Sequence, residues 1–206
     1  MRIFIYCIVG LLVLGVLTGC QQTPTEVTYR EVSIGNLKID VPTDWQRPDN
    51  IEDMVDEVID AMGSGTEQYV QVDGYESSTS EDIYLVALVM EVGKMFEEEG
   101  MIWEDWDSLF EEGGMTKEGF LSLMSLGLLM EGAEELTQEN IIQHTINDCE
   151  ALESIITCMV DGKDAKAHIL MILGDSNLGL IMLGGNMDDC EKFENSWKTM
   201  RDSVTL

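Results

Sequence analysis

The chain is 206 residues long and carries 40 acidic against 11 basic side chains, a formal charge of −29 at neutral pH. That excess excludes electrostatic attraction to nucleic acid and to anionic lipid, both of which depend on clusters of Lys and Arg. The length, with 45% of residues hydrophobic, suits one ordinary domain with its own core.

The first segment is an address rather than part of a fold. Arg2 supplies one positive charge, Ile3 to Val16 form an apolar run, and Leu17-Thr18-Gly19-Cys20 closes it. A basic start, an apolar stretch of roughly 7–15 residues and small residues before a cut describe a secretory signal peptide. An uncleaved membrane helix would need ~20 apolar residues, more than this run contains. Leu-x-Gly-Cys at the foot of such a run resembles the lipobox of bacterial lipoproteins. The resemblance implies that residues 1–19 are removed by cleavage between Gly19 and Cys20. It also implies that Cys20 carries a diacylglycerol on its sulfur, often with a further acyl chain such as palmitate on the new amino group. The expected location is the extracytoplasmic face of a membrane in the cell envelope. Gln21, where that family's sorting rule would read Asp for retention, argues against the inner membrane in a cell that has two.

Loss of Arg2 with the leader leaves 10 bases against 40 acids over 187 residues, a charge of −30. The lipid bilayer is then reached only through the acyl anchor, where two or three chains hold stably and one does not. Residues 20–29 read as a polar tether, and residues 30–206 as a single α+β domain. Between Asp49 and Glu112 stand 20 acids and one base, Lys94. Such a run keeps a tethered protein soluble, and it also raises divalent cations, which take six to eight oxygen ligands. The EF-hand register fails, because from Asp107 to Glu118 Leu109 stands at position three and Glu112 where Gly is required at six.

Val32-Ser33-Ile34 and Leu37 to Val41 flank Gly35-Asn36, a two-residue hairpin turn, and Pro42 with Asp44-Trp45 breaks the second strand. From Ile51, the apolar residues Met54, Val55, Val58, Ile59 and Met62 recur at helical spacing until Gly63-Ser64-Gly65, an amphipathic helix. Tyr69 to Val72 and Ile83 to Val92 are strand-like, the second almost continuously apolar and so central. Met101 to Phe110 places Trp103 and Trp106 on one side of a short helix. Those aromatics either dock the helix to the core or form a carbohydrate or partner surface.

Thr116-Lys117-Glu118 opens a longer helix, apolar almost all round from Phe120 through Met124 to Met130 and ending near Leu136. Its run of about 11 apolar residues is too short to span a membrane, so it lies in the core or shows a second apolar face to a partner. Trp103, Trp106, Phe120 and Met124 are therefore the candidate partner surface. Asn140–Asn147, Leu152–Val160, Lys166–Leu173 and Leu178–Leu183 read as strands joined by turns at Asp161 to Asp164 and Gly174 to Asn177. A last helix, Asp188 to Ser203, turns Phe193, Trp197 and Met200 inward. The fold class is α+β, an antiparallel sheet covered by helices.

This order of parts resembles the PsbP-like fold, which opens with a hairpin leading to Pro and Trp, here Leu37 to Trp45, and closes with a meander and a helix, here Phe193 to Ser203. The insert Met101–Leu136 is longer than that pattern. Members of the fold mostly act as assembly factors or binding adaptors, so the resemblance implies a non-catalytic binding or scaffolding role with an envelope protein partner. Function does not follow from fold by itself.

Catalytic and metal patterns are sparse. Beyond Cys7 of the leader and Cys20, the cysteines are Cys149, Cys158 and Cys190, candidates for one disulfide of three pairings. His144 and His168 form no close pair and no C-x-x-C accompanies them, so no metal site is expected. There is no G-x-S-x-G, H-E-x-x-H or phosphate-binding loop. Fourteen methionines suit adaptable core filling, with a promiscuous apolar groove or soft-metal binding as the alternative. No enzyme activity and no cofactor beyond the covalent lipid are expected. The rival readings are an extracytoplasmic cation- or solute-binding lipoprotein and a surface hydrolase, the latter requiring His144 or His168 to meet a nucleophile or carboxylate in a pocket.

Overall fold

A computed structural model describes residues 27–53, 55, 56, 65, 67–80, 82–130, 133–160 and 162–206, with backbone alone for 124–130. The leader, Cys20 and the tether up to residue 26 lie outside them. So does most of the helix expected from Ile51 to Met62, of which 51–53, 55 and 56 are helical.

Strands β1 (Tyr29–Ile34) and β2 (Leu37–Pro42) pair antiparallel with Ile34 opposite Leu37, as the Gly35-Asn36 turn requires. Gly35 holds φ at 60°, a left-handed conformation that glycine adopts without steric cost. Their alternation buries Val32, Ile34, Leu37, Ile39 and Val41 on one side. Trp45 does not merely end β2. It starts a two-residue strand, β3 (Trp45–Gln46), paired with β4 (Val70–Ser77).

The main sheet continues with β5 (Ile83–Met90), β6 (Ala133–Gln138), β7 (Ile142–Ile146), β8 (Cys149–Val160), β9 (Lys163–Leu173) and β10 (Leu178–Asn186). Its order is β3-β4-β5-β10-β9-β8-β6, with β7 sharing the outer edge of β8. Every pairing is antiparallel. β5 and β10 are interior and buried on both faces, which explains their unbroken apolar sequence. Gly185 of β10 is needed there for space: a Cβ would stand 1.9 Å from the Asp82 carbonyl oxygen.

Helices α1 (Val92–Glu98), α2 (Trp106–Glu112) and α3 (Lys117–Met130) cover one face, and α4 (Met187–Lys192) with α5 (Glu194–Ser203) join the β1–β2 hairpin on the other. The C-terminus is tied to that hairpin by paired backbone bonds between Lys38 and Thr205. The architecture is thus α+β, an antiparallel sheet with helices on its faces, as the sequence predicts.

Four local expectations are corrected. Val92 starts a helix rather than ending a strand. The helix expected from Met101 begins only at Trp106, where Asp105 caps it by accepting from the Ser108 backbone N–H at 2.7 Å. The long helix stops at Met130, and Ala133 to Gln138 pair with β8 through a bulge at which Glu135 has φ of 53°. The terminal helix is two helices meeting at Phe193, the first capped by Asn186 accepting from Asp189 N–H.

Register also defines two ends of the sheet. At one, Trp45 lies opposite Ser77, and Ile83 opposite Gly185. At the other, Val70, Met90, Leu178 and Leu173 form one row, with Glu150 beside it. The two rows stand about 25 Å apart at the rise of an extended strand. Thr28 and Arg30 bond to Thr43 and Trp45, so the described chain begins at the Trp45 end.

Candidate functional site

Two regions concentrate side chains with chemical potential. The first lies within the sheet, around Glu153 in the middle of β8. Its carboxylate is almost wholly buried, and charges in that position persist only when paired. Glu153 Oε1 accepts from Trp197 Nε1 at 2.5 Å and from His168 Nδ1 at 3.3 Å. Oε2 accepts from His144 Nε2 at 2.9 Å and from an Arg201 guanidinium N–H at 3.0 Å. Because an ionised carboxylate only accepts, His144 carries its proton on Nε2 and His168 on Nδ1.

Burial pushes the Glu153 carboxyl up. The hydrogen bonds from His168, Trp197 and Arg201, with the Arg201 charge, outweigh that effect and hold it down at about 2. The remaining ring nitrogen of His168, Nε2, is buried 3.2 Å from Glu194 Oε2 without hydrogen-bond geometry. Strands β7, β8 and β9 and helix α5 are therefore fastened through one acid.

The hub brings both histidines to a carboxylate, half of the arrangement a hydrolase would need. It supplies no nucleophile: among the described residues neither histidine is hydrogen-bonded to a hydroxyl or thiol, and Ser154 points to the opposite face, bonded to Gln138. Among the described residues, too, no three His, Cys, Asp or Glu side chains converge to hold a metal ion.

The expected disulfide is not formed. Cys149, Cys158 and Cys190 are free thiols. Cys149 and Cys158 stand nine residues apart on one extended strand, an odd separation that puts them on opposite faces and far beyond disulfide reach. Cys190 is buried, its Sγ donating to the Lys166 carbonyl, and burial pushes its thiol up to about 12.

The second region caps the end of the sheet away from Trp45. Phe96, Trp103, Trp106, Phe110 and Phe120 form a chain of edge and tilted ring contacts, with centroids 4.8–6.3 Å apart. Trp103 Nε1 donates to the Asp175 carbonyl and Trp106 Nε1 to that of Gly174, and Gly93 N–H donates to Ser176. The aromatics thus lock residues 93–110 onto the β9–β10 turn.

Of the expected partner surface, Trp106 is buried, Trp103 and Phe120 are half-buried, and the Met124 side chain lies outside the described residues. Two adjacent apolar side chains do face solvent, Met101 at 44% and Ile102 at 84% exposure, and Leu123 on α3, Val27 and Ile142 are exposed singly. Around them Glu97, Glu99 and Glu104 are exposed and make no ion pair among the described residues, whereas Glu91 pairs with Lys94 and Asp107 with Lys117. Sequence reasoning missed Met101 and Ile102 because it placed them on a short helix and singled out its tryptophans. The signal available was Gly100, which interrupts the helical pattern there.

No family model and no curated protein matches the chain. Solved structures do. The cyanobacterial PsbP protein CyanoP from Synechocystis sp. PCC 6803 aligns over 93% of this chain and 99% of its own, at 12% identity and a TM-score of 0.53. LpqN, described as involved in cell envelope biogenesis of Mycobacterium tuberculosis, aligns over 88% of this chain and 91% of its own, at 11% identity and a TM-score of 0.46. The architecture is PsbP-like. At these identities the likeness concerns fold alone.

Proposed function

We propose that this chain is a lipoprotein, held by acyl chains on Cys20 at the extracytoplasmic face of an envelope membrane, where it binds or scaffolds a protein partner without catalysing a reaction. The observation that carries the reading is the position of Leu17-Thr18-Gly19-Cys20 at the foot of the apolar leader. Only six residues lie between Cys20 and Val27, a reach of at most about 25 Å, so the folded domain starts close to its anchor. The non-catalytic part is supported by the Glu153 hub, whose acceptors are taken up by Trp197, Arg201 and both histidines.

The test is membrane flotation of the full-length chain expressed with labelled palmitate. Wild type should float with the membranes and carry label, and Cys20→Ser should do neither. A Cys20→Ser chain that still floats overturns the anchor. An esterase or peptidase activity abolished by His168→Asn overturns the non-catalytic reading.

A further inference from the structure

We infer that the Met101–Ile102–Trp103 edge is the docking face, and that its occupant is a partner protein presenting an apolar group within a basic patch. This deepens the proposed binding role and rests on it. A lone exposed apolar residue means little, but here Met101 and Ile102 adjoin a half-exposed Trp103, and Ile102 is exposed at 84%. The edge is also held rigid: Met101 N–H donates to the Phe96 carbonyl, and Trp103 is fixed to Asp175. A preformed edge avoids the entropic cost of ordering a loop on binding.

Charge selects the occupant. A second copy of this chain would bring another −30 charges against Glu97, Glu99 and Glu104, so self-association is disfavoured. Anionic lipid is repelled for the same reason. What remains complementary is a cationic surface with an apolar group to cover Ile102.

The test uses the full-length lipidated protein in phosphatidylcholine vesicles. It is titrated with a helical peptide carrying Lys on one face and Leu on the other, and with its Leu-to-Ser analogue of equal charge. The native protein should prefer the Leu peptide by about tenfold or more, the value of covering one isoleucine. Ile102→Ser, at unchanged charge, should abolish that preference, and Ile142→Ser on β7 should not. Replacing Glu97, Glu99 and Glu104 by Gln should weaken both peptides and flatten the salt dependence more than the same change at Asp49, Glu52 and Asp53 by Asn or Gln. If Ile102→Ser leaves the preference intact, or the two triple variants behave alike, binding follows total charge and the inference is overturned. Flotation of the same samples separates the premises. A preference retained without flotation supports the edge and overturns the anchor, and flotation without a preference overturns the edge alone.

Discussion

The Glu153 hub and the Met101–Ile102 edge depart from the usual partition of residues in opposite senses. One buries a charge and meets its acceptors with four donors; the other leaves apolar side chains in water beside exposed acids. Burial of a carboxylate is costly, so its persistence signals a structural fastening across β7, β8, β9 and α5. Exposure of Ile102 contributes nothing to the folded state, which leaves that edge free to serve binding. The contrast sets a region built for stability against the one proposed for recognition.

The strongest way to break this contrast is to remove the hub. Glu153→Ala should cost about 3–5 kcal/mol in denaturant unfolding, since it strands Arg201, Trp197 and two histidines without their acceptor. A loss under 1 kcal/mol would show that the hub fastens nothing.

Acid titration tests the same group more gently. The Glu153 carboxyl is depressed from 4.5 to about 2, so its contribution is complete above pH ~4.5 and is lost as pH falls through about 2. Because the group is buried, the loss should approach about 3 kcal/mol. Glu153→Gln should remove that portion of the acid dependence, and an unchanged profile would contradict the assignment.

At the other end, Trp106→Phe keeps the ring but forfeits the bond to the Gly174 carbonyl, and should cost about 1–3 kcal/mol. The smallest effect belongs to the edge itself: Ile102→Ser should change stability by no more than about 0.5 kcal/mol. A larger loss would mean that Ile102 packs in the fold and would remove the division of labour.

Much of the fold was legible because local chemistry and tertiary structure agree. Gly35-Asn36 dictates the first hairpin, and the alternation in Leu37 to Val41 already chooses the buried face. The unbroken apolar runs of β5 and β10 announce interior strands. Legibility failed where long-range pairing overrides local pattern. Ala133-Glu134-Glu135-Leu136 reads as helix, yet β8 recruits it as a bulged strand. The break at Phe193 is likewise invisible in an otherwise periodic segment.

The two regions differ in the same respect. Glu153 gathers partners 9, 15, 44 and 48 residues away, so no spacing rule finds them. The one hint is an acid inside the apolar strand Leu152 to Ile156. The aromatic surface was recognisable by composition, but the rings face inward and hold the β9–β10 turn, which moves the exposed part to Met101 and Ile102.

The proposed function rests first on an anchor at Cys20, and the intact mass of the protein extracted from membranes tests it most directly. The account predicts a chain that begins at Cys20, lacks residues 1–19 and carries the added mass of a diacylglyceryl group with or without a further acyl chain. An unmodified chain retaining its leader, or one cleaved elsewhere and free of lipid, would contradict it.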